Sequence, residues 1–410
     1  MKQIFLTMMA AALLVVGLTA CGGSSSDNID PLSTPLTLEA IADGCISFAN
    51  KASGPVIYKL NGGEERTIMP GENCNIELKA GDKASFLGDN PTYATEHKHS
   101  RFSFYVDCYV YGNVMSLINA IEYPTLKSFD AEKGKYAFRG LFVENNHMCN
   151  HPSKALVLPA TTLSEKCYSE MFKMCKRLKM APELPAVTME KGCYRAMFDG
   201  CDSITTAPVL PATTLASSCY SFMFAFCGNL TEAPELPVTT LAPNCYGNMF
   251  YSCRKLGKAP KLPATKLETN CYNQMFAGCY SLETAPELPA TTLAFACYEE
   301  MFSGCKNLTT APELPATVLE ENCYSSMFEG CVSLTKAPTL PAPMLVNGCY
   351  KSMFRKCGNL DYVKCLATKD ADFGWTCFMW LNDVAETGTI VKMPGMKLAI
   401  PNGWTVKDVE

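Results

Sequence analysis

Charge, histidine and tryptophan are scarce in this chain. Charged residues make up 18% of the 410, against roughly 25% in an average globular protein. The net charge is −5 and there is no basic run, so the electrostatic footprint that nucleic acid requires is missing. Only four histidines occur, at 97, 99, 147 and 151. The sequence contains no Gly-x-Ser-x-Gly, no phosphate loop and no His-Glu-x-x-His. With no catalytic constellation, the chain reads as a non-enzyme that uses no cofactor. Apolar residues are not scarce. They make up 48%, with 10% aromatic, which excludes a wholly disordered chain. At about 150 residues per domain, the length suggests two or three domains. Twenty-three cysteines in 410 residues fall below the roughly 8–10% of a small disulfide scaffold. Position, not density, has to explain them.

The first segment reads as an address. Lys2 precedes an uncharged apolar run from Ile4 to Gly17, followed by Leu18-Thr19-Ala20-Cys21. This resembles the lipobox of bacterial lipoproteins. The resemblance implies a signal peptide over 1–20, with lipid on Cys21 as the mature N-terminus. The alternative is an ordinary secretory signal. A transmembrane helix is disfavoured, because the apolar run is short and stops at Cys21-Gly22-Gly23-Ser24-Ser25-Ser26. Residues 21–32 read as a flexible tether. By resemblance to lipoprotein sorting rules, Gly22 in place of Asp implies the outer membrane. Membrane contact would then be through the lipid alone. Asp27 is the only early acid, and display on the outer face stays open.

Residues 33–125 alternate as strands do. Ile46 and Phe48, then Val56, Tyr58 and Leu60, then Ile76 and Leu78 take every second position. Asn61-Gly62-Gly63, Pro70-Gly71 and Gly81-Asp82 supply turns between them. The expected module is a small all-β, sandwich-like domain, although a closed barrel would give the same pattern.

From residue 167 the chain repeats itself. Cys-Tyr occurs at 167, 193, 219, 245, 271, 297, 323 and 349, in steps of 26. Met-Phe follows four residues after each Cys, a second Cys at plus eight, and Leu or Ile three residues beyond that. Ala-Pro comes next, except in the eighth repeat, where Val363-Lys364 stands in its place. Leu-Pro then follows in seven repeats. A period of this length means stacked coils, and 26 residues are too few for a propeller blade. Residues 167–374 are the eight repeats. Residues 126–166 and 375–410 decay as caps do: Phe138 and Leu141-Phe142 mimic the Tyr and Met-Phe positions, and Ala137 and Asn145 replace the two cysteines. His151-Pro152 replaces Ala-Pro, and Leu158-Pro159 comes four residues late. The tail from Thr389 to Val409 reads as closing strands with a turn at Pro401-Asn402-Gly403.

Within one coil, Cys167, Tyr168, Met171, Phe172 and Cys175 occupy i, i+1, i+4, i+5 and i+8. That spacing predicts one face of a short helix. The Ala-Pro and Leu-Pro stretch cannot be helical and reads as extended. Because proline lacks a donor, the ladder is expected to run through the residues just before Ala-Pro. The motif Phe198-Asp199-Gly200-Cys201 to Ile204, repeated at Phe276-Ala277-Gly278-Cys279 and Phe302-Ser303-Gly304-Cys305, resembles the BspA-like leucine-rich repeats of bacterial surface proteins. These coils are longer than the family's usual coil by about three residues. The resemblance covers roughly residues 137–385. The expected fold is therefore an α/β solenoid of leucine-rich-repeat type with 26-residue coils, preceded by the small β domain.

Four groups of residues are candidate sites. Glu183, Val209, Glu235, Lys261, Glu287, Glu313 and Thr339 sit between Pro and Leu of the extended run. They predict a mostly acidic stripe in which Lys261 falls between Glu235 and Glu287, as in a charge ladder. A solvated face is the alternative. The sixteen repeat cysteines read as small buried hydrophobes rather than disulfides or ligands, and the tyrosines of the repeat as rim residues. His147, Cys149 and His151 share one face of a strand, but they lack a fourth ligand for zinc, so no metal is expected. Cys45 and Cys74 are a candidate disulfide, which would leave Cys108 over.

The reading that follows is a lipid-anchored envelope protein whose array presents a long binding surface. By resemblance, its partners would be host or matrix proteins, or another cell surface. The alternative is a glycan-binding lipoprotein for nutrient capture, with the β domain as recognition module. Mass spectrometry of the protein from its native membrane should find residue 21 at the N-terminus and carrying lipid; an intact Met1 or an unmodified Cys21 would reject the address.

Overall fold

The computed structural model describes residues 30–90, 94–370 and 375–409; Cys21 and the signal segment lie outside the described residues. The alternating N-terminal segments form strands β1 (Leu36–Ala40), β2 (Gly44–Ala49), β3 (Val56–Leu60), β4 (Glu65–Ile68), β5 (Asn73–Leu78), β6 (Lys83–Gly88), β7 (Arg101–Phe104) and β8 (Cys108–Asn113). Strands β8, β1, β6, β3 and β4 lie side by side in one sheet, and β5, β2 and β7 in another. The inward side chains meet between them: the rings of Phe48 and Phe86 are 6.0 Å apart and those of Phe86 and Phe102 4.9 Å. The larger sheet does not stop at residue 125. Strands β9 (Met148–Asn150) and β10 (Leu156–Val157), which belong to the first cap, both pair in parallel with β8. One continuous buried core runs from Leu36 to Trp404.

The repeats stack, but not through helices. Among the described residues the array contains no α-helix, which corrects the expected α/β class. Over Lys166 to Cys175 the backbone donors alternate. Cys167, Ser169, Met171, Lys173 and Cys175 donate to the carbonyl three residues back. Lys166, Tyr168, Glu170, Phe172 and Met174 donate to the next coil, at Lys191, Cys193, Arg195, Met197 and Asp199. Every fourth residue is left-handed: Lys166, Glu170 and Met174 have φ of 53°, 59° and 63°. The same three columns run through the later coils. The third explains the glycine before the second cysteine, since Gly200, Gly278, Gly304 and Gly330 have φ of 71° to 74°. An α-helix needs donors bonded four residues back throughout, and a left-handed residue every fourth position forbids that.

Side chains inside the coils form straight columns. The tyrosine rings, from Tyr168 to Tyr350, stack at 5.8 to 6.1 Å. Phe138 opens this column and Trp380 closes it. The phenylalanine column runs from Phe102 and Phe142 through Phe172 to Phe354, so the N-terminal strands cap it with their own aromatic ring. The cap residues Phe138 and Phe142 take the expected Tyr and Phe positions. Tyr194 and Tyr272, expected at the rim, are instead 1% exposed.

The extended segments pair as their prolines allow. Bridges join Thr206 to Glu232 and Glu232 to Lys258, directly before Ala-Pro. Farther on, the N–H groups of Glu235, Leu236 and Val238 find no acceptor among the described residues. Strand β11 (Lys336–Leu340) pairs with β13 (Tyr362–Cys365), with an irregularity at Ala337-Pro338. A second short pair joins β12 (Met344–Leu345) to β14 (Lys369–Asp370). Where Val363-Lys364 replaces Ala-Pro, the ladder becomes regular through β15 (Gly388–Lys392) and β16 (Trp404–Asp408). The closing strands are parallel, so they extend the stack rather than fold into a hairpin. Among the described residues no helix is long and apolar enough to cross a membrane.

The sign of one substitution separates this turn from a helix. In a helix, Gly304→Ala would stabilise by about 1 kcal/mol. At φ 71° it should destabilise by about 1–2 kcal/mol. Gly200→Ala, at φ 73°, should cost about as much, because the Met174 sulfur that its Cβ would meet belongs to a flexible side chain that can move aside. Chemical denaturation of both variants reads the sign; a stabilised Gly304→Ala would restore the helix.

Candidate functional site

Two exposed features share one side of the coils. The first is the charged stripe. In each extended segment a buried leucine, such as Leu184, Leu236, Leu288 or Leu314, holds the chain, and the residue before it turns outward. Glu183, Val209, Glu235, Lys261, Glu287 and Glu313 are exposed, while Thr339 is half-buried. Among the described residues, ion pairs of the repeats lie elsewhere, at Glu170, Asp199 and Glu329, and from Arg177 and Lys191 to Asp107 and Glu165. Lys261 bridges neither Glu235 nor Glu287, so the stripe is not a closed charge ladder. Its charges remain available to a partner.

The second feature is a cleft of about 600 Å³ at the start of that face. Leu156, Leu158, Met180 and Pro182 line it with apolar surface, and Lys127 and Glu183 stand among them. Glu183 is thus a stripe residue that the fold places in a concavity. The cleft owes its shape to an insertion. Val110 pairs with Asn150 and Gly112 with Leu156. The cap chain therefore spends six steps where β8 spends two. The four extra residues are the same delay seen at Leu158-Pro159, and they bulge outward with His151 and Lys154.

That bulge completes a polar cluster that sequence spacing could not reveal. The Tyr111 hydroxyl donates to Glu39 at 2.9 Å, and Lys154 Nζ reaches Glu39 at 3.3 Å and Tyr111 at 3.2 Å. Lys154 Nζ also lies 4.3 Å from the centre of the Tyr111 ring. His151 stands edge-on to Tyr109 and Tyr111, both at 5.1 Å. Its Nδ1 accepts from the N–H groups of Ser153 and Lys154, which places a proton on Nε2, facing Glu39. Burial alone would raise the Glu39 carboxyl, but the bonds from Tyr111 and Lys154 outweigh it and hold the pKa below the ordinary value. Burial lowers His151, and Lys154 adds to this, so the imidazole is neutral at pH 7. Glu39 is held by Tyr111 and Lys154. The arrangement pins the bulge to β8.

The other candidates separate. His147 Nδ1 meets Asp107 at 2.8 Å, and Asp107 also receives Arg177 at 2.6 Å. His151 belongs to the Glu39 cluster. Among the described residues no group of His, Cys, Asp and Glu could hold a metal ion. Cys45 pairs with Glu77 and Cys74 with Phe48. An offset of three puts the two sulfurs on opposite faces of the sheet, so the candidate disulfide is not formed.

The repeat cysteines are buried and unbridged. The second column is polar in a way the sequence reading missed. Cys201, Cys227, Cys253, Cys279, Cys305, Cys331 and Cys357 each donate Sγ–H to the phenylalanine carbonyl of the coil before, at 2.9 to 3.1 Å. Cys175 does the same to Phe142. In the cap, Asn145 replaces the cysteine and donates Nδ2–H to Phe102 at 2.9 Å. No family model matches this chain, and no curated protein or solved structure is significantly similar to it.

Burial pushes the thiols of Cys167, Cys175, Cys245, Cys297 and Cys305 from near 9 up to about 12. A raised folded pKa keeps its stabilisation below the unfolded value, and that stabilisation is lost as pH climbs toward the folded one. Stability should therefore be flat up to about pH 9 and fall between about 9 and 12. Each such thiol contributes about 1.4 kcal/mol per pH unit. Alkaline titration followed by circular dichroism, with thiol labelling alongside, checks this. Rapid labelling of the repeat cysteines in the native protein at pH 8 would contradict it; Cys45, Cys74 and Cys149 are only partly buried and label regardless.

Proposed function

We propose that the 26-residue coils build a solenoid of leucine-rich-repeat type. On this reading the protein is a non-catalytic, lipid-anchored component of the cell envelope. The stack presents its extended face to a protein partner: a host or matrix protein, or another cell surface. The observation that carries the reading is the stripe of Glu183, Glu235, Glu287 and Glu313. These charges are exposed, make no ion pairs among the described residues, and ride on a face whose geometry is fixed by buried columns beneath. A rigid row of unpaired acids fits a basic partner surface.

Nutrient capture by the N-terminal strands has less support. A glycan platform there would need clustered exposed aromatics, and among the described residues of that region Tyr105 stands alone, at 68% exposed.

The triple variant Glu235→Gln, Glu287→Gln and Glu313→Gln tests the stripe. An exposed charge pair contributes about 0.2–1 kcal/mol, so capture of matrix proteins or cells should weaken by about 3- to 100-fold and lose part of its salt dependence. Thermal stability should stay unchanged, because these side chains lie outside the buried columns. Undiminished capture by the variant would rule out the stripe as the contact; if the N-terminal strands alone also kept all the affinity, the array would be a spacer.

A further inference from the structure

One coil is unlike the rest. Between Cys245 and Asn270 the sequence places Arg254, Lys255, Lys258, Lys261 and Lys266 against a single acid, Glu268. All five cations are exposed. The ion pairs among the described residues involve none of them. In a chain of net charge −5, five unpaired cations on one coil form a positive strip. It runs around the coil from the turn ridge onto the extended face.

The neighbouring coils give the strip an edge. Glu232 and Glu235 stand on one side, and Glu283 and Glu287 on the other, all exposed. With adjacent extended segments about 4.8 Å apart, acids on both flanking coils confine the positive potential to a band about 10 Å wide. On the ridge, Tyr280 is 39% exposed. Arg254 lies 5.9 Å from its ring centre and Lys306, one coil farther on, 4.9 Å. The phenol ring draws a cation from each neighbouring coil toward it.

We propose that this strip binds a single chain of acidic polysaccharide, laid across the stack with its carboxylates against Arg254, Lys255, Lys258 and Lys261. Three properties select that class. The band is too narrow for a nucleic-acid duplex, whose major groove alone is about 12 Å wide. Single-stranded nucleic acid relies on free aromatic faces for stacking, and the Tyr280 ring already draws two cations. A neutral glycan offers no charge to the exposed cations that dominate the strip. What remains is recognition by charge along one extended chain. The site crosses the acidic stripe at Lys261, between Glu235 and Glu287, and goes beyond the protein-binding reading.

The test uses the whole protein with polygalacturonate as probe, dextran as neutral control and poly(dT) as nucleic-acid control, at salt from about 50 to 200 mM. Polygalacturonate should bind, with affinity falling steeply as salt rises; dextran and poly(dT) should not. Replacing Arg254, Lys255 and Lys258 together by Gln should weaken binding about tenfold or more. The slope of log affinity against log salt should fall by about two. Changing the exposed Lys98, Lys176 and Lys397 to Gln removes the same charge elsewhere and should leave affinity within about twofold. Glu232→Gln with Glu283→Gln removes the edges and should tighten polygalacturonate binding, a gain that misfolding cannot produce. Equal losses in both triple variants, wild-type binding by the Arg254 triple, or poly(dT) binding as tight as polygalacturonate would each overturn the proposal.

Discussion

The structure depends on how a buried backbone disposes of its N–H groups. The turn segment of each coil is covered on both sides by other coils. Unpaired buried donors would be costly. The solution is the alternation seen from Lys166 to Cys175: one donor closes a turn within the coil, and the next reaches the following coil. This demands a left-handed residue every fourth position. It accounts for the glycines before cysteine and for the serines and asparagines, such as Asn244, Asn270 and Ser326, in the same columns. It also makes each coil incomplete without its neighbour, as expected of quasi-one-dimensional repeats.

Stacking by backbone bonds fixes the side chains in register, and the columns follow. A tyrosine lies on a tyrosine and a phenylalanine on a phenylalanine because the bonds between coils leave no freedom to slip. The cysteine column adds a weaker tie, with thiol donating to carbonyl across the same interface. Asn145 makes the equivalent bond to Phe102, showing that the position selects for a donor and not merely for small size. The ends then need special treatment. The N-terminal sheets supply it by placing Phe102 at 5.4 Å from Phe142 and by running β9 and β10 along β8. The strands that precede the repeats are thus their cap as well.

Much of this was legible in the sequence, for physical reasons. The 26-residue period, the decay at both ends, the strand alternation near Ile46 and Phe48, and the weak pairing imposed by Ala-Pro all depend on local chemistry. The helix did not hold. Apolar residues at i, i+4 and i+8 suit a helix over two turns, but their period is four, without the drift of a 3.6-residue helix. Gly-Cys at the third position was the signal that could have corrected it, since a helix interior disfavours glycine. The Glu39, Tyr111, His151 and Lys154 cluster was beyond reach. It joins residues more than a hundred positions apart through an insertion whose length was visible but whose direction was not.

The scaffold and the exposed columns answer to different constraints. Inside, Tyr, Met, Phe and both cysteines recur with almost no change, because any change is felt by two neighbouring coils. Outside, the position before the buried leucine is Glu, Val, Glu, Lys, Glu, Glu and Thr in turn, and nothing beneath it dictates the choice. Packing cannot explain why five unpaired cations gather on one coil while acids gather on the next. Nor can stability, since exposed pairs contribute little and these charges are left unpaired. Solubility would be served by charges placed at random. Segregation of charge by coil, on a rigid face whose spacing is set from within, is what a surface needs in order to distinguish one extended partner from another.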